Sequence, residues 1–297
     1  MGGSTGMIGT LLTRLLQERG DRVKSLVRPS SKISNHNDGI PWDPAAGTID
    51  REKLEGIDAV IHLGGESIAS GLWTEARKKR LTDSRILSTS LLAETLAKLE
   101  QKPEVFLCAS GISIYGDGGD HIFDEAHPPD NDFLANLAHE WEKATQPARD
   151  AGIRVVNLRI GVVLALEGGA LAKMAPAFRL GLGGPIGNGR QYMSWIEVDD
   201  LTRAILHCMD QQKLDGPVNL ISPFPVTNKE FAAVLGRTLK RPAILPAPAF
   251  MIKLIFGEMG RSVLLGGTRG SCKKLEDSGF VFQYPNLEDA LQKLFKK

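Results

Sequence analysis

An α/β fold built on a doubly wound parallel sheet is what this sequence predicts, on three observations. The chain opens on Gly2-Gly3-Ser4-Thr5-Gly6-Met7-Ile8-Gly9, a G-x-x-G-x-x-G turn that runs straight into a stretch with helical apolar spacing. Residues 56–63, 105–110 and 154–159 are short, largely apolar runs, the pattern of strands covered on both faces. Helical stretches alternate with those runs, and strand–helix alternation builds parallel sheets with helices on both sides.

Taken in order, the first helix is expected over residues 11–20, closed by Gly20 just past its end. Residues 22–27 alternate and read as a short strand that ends at Arg28. Residues 29–50 are polar and carry Pro29, Pro41 and Pro44, so they read mostly as loop. The buried strand over residues 56–63 ends in Gly64-Gly65-Glu66. A long helix follows over residues 74–98, with Leu81, Leu87, Leu91 and Leu92 as its buried stripe and Arg77-Lys78-Lys79-Arg80 near its start. The next strand covers residues 105–110 and is followed by a Gly-, Asp- and Pro-rich loop over 116–131. Asp132 caps a helix that runs through Trp141 to Ala151, and residues 154–159 form another strand.

After Val163 the pattern changes. Residues 181–189 form a glycine-rich loop before Trp195-Ile196 and a helix from Asp199. A last core strand is expected over residues 218–221. From Thr227 the chain reads as mostly helical, broken by Pro242, Pro246 and Pro248, and it closes with an amphipathic helix. The expected division is a nucleotide-binding domain over residues 1–164 and a smaller, mostly helical lobe over 165–297. That lobe lies across the C-terminal strand ends, where such sheets bind ligands, and contributes late strands to the sheet.

Composition narrows the function classes. Thirty-six basic and thirty-five acidic residues leave a formal charge of +1, so no global field recruits nucleic acid or a membrane surface. No run approaches the ~20 apolar residues of a spanning helix, and a cytoplasmic location is the default expectation. Cys108, Cys208 and Cys272 form no C-x-x-C pair and read as reduced thiols. The six histidines show no metal-ligand spacing, so no metal site is expected.

The glycine turn carries the chemistry. A turn of this kind can place bare backbone N–H groups and the positive end of a helix dipole against a pyrophosphate, although glycines also mark plain turns. At the end of the second strand an acidic residue would hold the ribose hydroxyls of NAD. An arginine there suits a 2′-phosphate, so Arg28, with Ser30, Ser31 and Lys32 beside it, favours NADP over a solvated surface arginine. Leu63-Gly64-Gly65 offers flat backbone to a cofactor or simply a tight turn, and Glu66 could accept substrate hydroxyls or cap a helix. Arg77 and Arg85 fall on adjacent turns, so one of them could face the cofactor cleft. Asp199 and Asp200 read first as a helix N-cap. In dinucleotide folds the glycine turn follows a central first strand, and here only Met1 precedes it. That strand is expected to be missing from this sequence, with about five to eight further residues upstream in the natural chain. Its loss should leave two neighbouring strands with unpaired edges.

The ordered motifs resemble the YfcH-like epimerase family of the extended short-chain dehydrogenase/reductase superfamily. They include the opening glycine turn, His62-Leu63-Gly64-Gly65-Glu66, Trp73-Thr74-Glu75-Ala76-Arg77-Lys78 and Tyr115-Gly116-Asp117. Asp83-Ser84-Arg85, Trp141-Glu142, Gly161-Val162-Val163-Leu164, residues 180–185, Trp195-Ile196 and the tail over 279–285 complete the set. The resemblance implies a Rossmann-type sheet binding NADP. The turn residues Gly3, Ser4, Thr5, Gly6, Met7 and Ile8 would hold it, with Arg28, Leu63, Gly64, Arg80, Arg85 and Val163 around it. Active members of the superfamily carry a Ser/Thr before the tyrosine that corresponds to Tyr115, and a Tyr-x-x-x-Lys on the next helix. Here those positions fall on Gly111 and on the window from Leu134 to Ala138, with neither tyrosine nor lysine. Tyr115, Glu66 and Ser110 are then the candidates for catalysis. The expected function is an atypical NADP-binding oxidoreductase or epimerase-like protein acting on a small polar molecule, nucleotide sugars included. A non-catalytic NADP(H) sensor or assembly partner is the alternative.

Overall fold

The computed structural model describes residues 1–29 and 39–296. Ser30, Ser31 and Lys32 therefore lie outside the described residues. In chain order the first elements are α1 (Met7–Arg19), β1 (Ser25–Val27), β2 (Gly39–Asp43), β3 (Thr48–Ile49), β4 (Ala59–His62) and α2 (Glu75–Ala97). Next come β5 (Val105–Gly111), β6 (Ile122–Phe123), α3 (Phe133–Lys143), α4 (Gln146–Asp150), β7 (Arg154–Ile160), β8 (Val162–Leu164) and α5 (Gly169–Arg179). The chain continues through β9 (Tyr192–Met193), β10 (Trp195–Glu197), α6 (Val198–Asp210), β11 (Gly216–Leu220), β12 (Val226–Thr227) and α7 (Asn228–Leu239). It ends with α8 (Ala249–Met259), β13 (Arg269–Gly270), α9 (Lys273–Asp277) and α10 (Leu287–Phe295).

Strands β4, β5, β7 and β11 pair in parallel in the order β11-β7-β5-β4. Their apolar side chains feed two cores, one on each face. On one face Leu12 and Leu16 of α1 and Leu201 and Ile205 of α6 pack on Leu107 and Val156. On the other, Leu92 and Leu96 of α2 pack on Phe106 and Val155. This is the Rossmann-type doubly wound arrangement. A third core joins α5, α7 and α10 through Leu171, Phe231 and Leu291 around the fully buried Trp195, and makes the helical C-terminal lobe.

The place of the first strand is partly filled. The Gly2 N–H donates to the Ile61 carbonyl at 2.8 Å, and the Leu63 N–H donates to the Gly2 carbonyl at 2.9 Å. On the other side the Leu26 N–H donates to the Met1 carbonyl at 2.9 Å, and the Met1 amino group donates to the Lys24 carbonyl. Met1 and Gly2 thus supply the last rungs between β1 and β4, so the two flanking strands are joined there and not left wholly unpaired. Beyond those rungs lies a cavity of about 1020 Å³ with Leu16, Leu26, Ile40, Val60 and Val105 among its lining residues. Burial holds the Met1 amine down to a pKa of about 5.

Several element boundaries differ from the sequence reading. Helix α1 begins at Met7, directly at the glycine turn, because Gly6 serves as its N-cap. The proline-containing stretch read as loop holds β2, which pairs in parallel with β1 and antiparallel with β3. Ile40 and Trp42 point inward while Pro41 is exposed between them, so the prolines mask a real two-residue alternation. In α2, Leu87 is 45% exposed; the buried stripe runs through Leu81, Arg85, Ser88, Leu92 and Leu96 instead. Its polar members are buried because each finds a partner, as described below. The single helix expected from residue 132 to 151 is two, α3 and α4, with Asp132 capping the first through the Ala135 N–H at 2.7 Å.

Three carboxylates tie the C-terminal segment to the sheet. Glu197, not Asp199 or Asp200, is the N-cap of α6, accepting from the Asp199 N–H at 2.7 Å. The buried Asp200 carboxylate accepts from Arg203 and from the backbone N–H groups of Gln283 and Tyr284. Lys293 of α10 donates to Glu197 at 2.8 Å and to Asp199.

Candidate functional site

The glycine turn is assembled by close backbone contacts. Gly3 has φ +79°, a conformation that L side chains rarely adopt, and a Cβ there would lie 2.9 Å from the Gly64 nitrogen. A Cβ on Gly9 would lie 2.1 Å from the Gly3 carbonyl oxygen, so the first turn of α1 packs directly on the loop before it. Gly6, the N-cap, offers no side-chain cap, and the first turn of α1 has no acidic residue. The first backbone N–H groups of a helix have no intrahelical acceptor. Here they are left open, with the positive end of the helix dipole, beside Leu63-Gly64. Arg28 is exposed just past the end of β1. These features fit a dinucleotide, its pyrophosphate on the turn and a further phosphate within reach of the β1 end.

Behind the Leu63–Glu66 segment the cations of α2 are engaged. Arg77 is buried and donates to the Glu66 carboxylate and to the Ser67 carbonyl. Arg80 is more open, its Nε 4.0 Å from the same carboxylate. Arg85 donates to the Glu66 carbonyl at 2.8 Å and the Leu81 carbonyl at 3.0 Å, and its guanidinium lies 5.0 Å over the Trp141 ring. Burial lowers its pKa to about 10, so it remains charged at neutral pH. His62 lies beneath this segment, its Nε2 3.0 Å from the Ser88 hydroxyl and its Nδ1 without a partner. Burial lowers its pKa to about 4 and keeps it neutral.

At the C-terminal ends of β5 and β7 a cleft of about 440 Å³ opens between the sheet, α3 and the C-terminal lobe. Ser110, Gly111, Leu134 and Ala138 all line it. Gly111, Leu134 and Ala138, the positions that the resemblance assigns to Ser/Thr, Tyr and Lys, thus lie in one lining. They present a hydrogen atom, an isobutyl group and a methyl group. Ser110 donates to Glu142 at 2.8 Å, and Glu142 takes a two-pronged contact from Arg159 at 2.8 Å on each oxygen.

The three residues singled out for catalysis fall in different places. Ser110 lines the cleft. Tyr115 is buried outside the cleft lining, donating to Asn219 at 2.9 Å and accepting from Arg159 at 2.7 Å. Burial raises its pKa to about 12, with Arg159 opposing the shift. Glu66 is paired with Arg77 outside the cleft lining. Of the cofactor candidates, Gly3 to Ile8, Leu63 and Gly64 gather at the turn, Arg85 reaches the cleft wall, and Val163 lies in β8, beside Val162 of that wall. Sequence reasoning missed Tyr192, Ser113 and Ser262 as cleft residues. No motif marks them, since they come from one-turn or two-residue elements without periodicity. Among the described residues no group of three or more His, Cys, Asp or Glu side chains could hold a metal.

Fold and site together define a Rossmann-type α/β protein whose glycine turn is shaped for a dinucleotide and stands beside a cleft. The model of the NAD dependent epimerase/dehydratase family matches residues 1–220, and that of a domain of unknown function, DUF1731, matches residues 247–294. The chain belongs to the NAD dependent epimerase/dehydratase family. It is 39% identical over 289 residues to the epimerase family protein ML0860 of Mycobacterium leprae, covering 97% of this chain and 92% of that one. The crystal structure of human epimerase family protein SDR39U1 with NADPH superposes with a TM-score of 0.89 at 34% identity, covering 99% of this chain and 97% of that one. A nucleoside-diphosphate sugar epimerase from Corynebacterium glutamicum gives a TM-score of 0.80 at 32% identity, over 99% of this chain and 57% of that one. Among the described residues no helix is long and apolar enough to cross a membrane.

Proposed function

We propose that this chain binds NADP(H) on its glycine turn and works as an atypical oxidoreductase or epimerase-like enzyme on a small molecule held in the adjoining cleft. The observation that carries the reading is the uncapped start of α1 packed through Gly9 and Gly3 against Leu63-Gly64. The NADPH bound by the human relative supports it. When bound, the cofactor supplies or accepts a hydride. The chain's own residues do the rest. The backbone N–H groups of Ser4, Thr5, Met7 and Ile8 hold the pyrophosphate, while the Gly6 N–H closes the turn on the Gly3 carbonyl at 3.1 Å, and Arg28 takes the 2′-phosphate. Leu63 and Gly64 provide the flat floor, with Arg80, Arg85 and Val163 around it. Ser110, fixed by Glu142, offers its oxygen lone pairs to the substrate side of the cleft. Tyr115, held by Asn219 and Arg159, positions the β5 end, and Glu66 holds Arg77 and Arg80 beside the turn.

Leu134 and Ala138 support a second reading, a cofactor-binding protein without turnover, because neither side chain can move a proton. Titrating the protein with NADPH and following cofactor fluorescence, then following NADPH oxidation across a substrate panel, separates the two. Tight binding with turnover supports the enzyme, and tight binding without turnover the sensor. An absence of binding removes both. Arg28→Ala should weaken NADPH by about 10-fold or more while leaving NADH nearly unchanged, the loss of one charge-assisted contact.

A further inference from the structure

The cleft beside the glycine turn has a composition that selects its ligand. Among the residues that line it, Arg85 alone carries a charge. Two of its nitrogens are already committed to the Glu66 and Leu81 carbonyls, and only Nε is without a partner. A diphosphate brought into this wall would surrender its hydration against a single guanidinium whose two terminal nitrogens are already engaged. Ile68, Leu134, Leu137, Met174, Val263 and Leu264 make the surrounding wall apolar. Met174 is also unbranched and adaptable, able to shape itself to a ring.

Most polar groups of the lining are used up within the protein. Ser110 donates to Glu142. Ser194 donates to the Thr268 carbonyl and accepts from the Gly270 N–H. Thr268 donates to the Gly116 carbonyl, and the Gln191 amide donates to the Ile186 and Leu264 carbonyls. Ser113, Tyr192 and Ser262 also line the cleft, and their hydroxyls have no hydrogen-bond partner among the described residues. All three are neutral groups that can donate and accept. A sugar ring would bring more hydroxyls than these can pair, and each one buried without a partner weakens binding.

We infer that the cleft takes an uncharged, largely apolar carbonyl or alcohol compound, its oxygen held among the Ser113, Tyr192 and Ser262 hydroxyls, and not a nucleoside-diphosphate sugar. The inference deepens the proposed function, and rests on it for the claim that this ligand is the substrate. Ligand-observed NMR tests it, using a panel of neutral aryl and cyclic ketones (acetophenone, 1-tetralone, cyclohexanone) against UDP-glucose and UDP. The titrations are made on the protein with and without NADPH.

Binding of at least one ketone in the millimolar range or tighter, with UDP-glucose and UDP weaker, is the expected result. Tyr192→Phe or Ser113→Ala should weaken that ketone by about 5- to 10-fold while leaving NADPH affinity and melting temperature unchanged. Leu137→Arg should abolish ketone binding. UDP-glucose binding more tightly than every ketone overturns the inference, as does a ketone panel that fails to bind. Ketone binding indifferent to Tyr192→Phe, Ser113→Ala and Ser262→Ala overturns the anchoring. NADPH binding is read separately, so failure of the cofactor reading is distinguishable from failure of the cleft chemistry.

Discussion

Gly9→Ala tests the packing that holds the glycine turn. The new methyl would sit 2.1 Å from the Gly3 carbonyl oxygen and 2.9 Å from both the Gly3 carbonyl carbon and the Ser4 Cα. All three are backbone atoms, so no side chain can swing aside, and α1 or the turn must move by about 1 Å. Overpacking of this kind costs about 1–3 kcal/mol, and for a chain of this size each kcal/mol lowers the melting temperature by roughly 2–4 °C. The same displacement misaligns the N–H groups aimed at the pyrophosphate, so NADPH affinity should fall about 10-fold or more. Gly6→Ala is the control. Gly6 has φ −74°, and its Cβ would meet only the Gly3 oxygen, at 3.4 Å. The fold should tolerate that methyl, yet it stands at the exposed N-cap where backbone must approach the cofactor. The pair should therefore split: Gly9→Ala loses stability and affinity, Gly6→Ala affinity alone. Differential scanning fluorimetry and NADPH fluorescence titration read the two effects. An unchanged melting temperature in Gly9→Ala, or full NADPH affinity in Gly6→Ala, would refute the reasoning.

His62 makes stability depend on pH. Its pKa falls from 6.5 to about 4 on folding, so the unfolded chain binds the proton more readily. The contribution is whole above pH 6.5 and is lost as pH falls toward 4, about 3 kcal/mol in all. Urea denaturation from pH 7.5 to 4.5 should show that slope, and His62→Gln should flatten it. Glu142→Gln removes half of the buried pair with Arg159, and a destabilisation of about 3–5 kcal/mol in the same denaturation assay is expected. Asp200→Asn weakens the hold on Gln283 and Tyr284, so limited proteolysis should cut the segment after residue 278 several-fold faster than in the parent protein.

The sheet was legible because β4, β5 and β7 are nearly continuous apolar runs, and a strand buried on both faces has no other way to look. The glycine turn was legible because Gly3 and Gly9 each answer a backbone contact that leaves no room for a Cβ. Strand β2 was hidden by Pro41 and Pro44, although Ile40 and Trp42 carry its alternation. Leu87 misled because the buried face of α2 is partly polar: Arg85, Ser88 and Thr89 are covered and hydrogen-bonded, while the leucine faces out. No hydropathy pattern distinguishes such a stripe from an exposed one. Tyr115 looked chemical by type and position, yet its hydroxyl is held by Asn219 and Arg159, which lie 104 and 44 residues away in sequence. Partners so distant become visible only once the sheet brings them together.

The two halves of the site answer to different physical constraints. The cofactor side depends on backbone: Gly3 against Gly64, Gly9 against Gly3, and Gly2 bridging to His62. Each contact excludes a Cβ, so drift at these positions is penalised by sterics whatever reaction the protein performs. The cleft side depends on side chains: Leu134 and Ala138, buried on α3 and compatible with a helix, bring no proton-transferring group to it. A fold of this kind can therefore keep its phosphate turn while the chemistry next to it changes completely. The apolar wall and the three unpartnered hydroxyls are the features from which the chemistry of the cleft must be read.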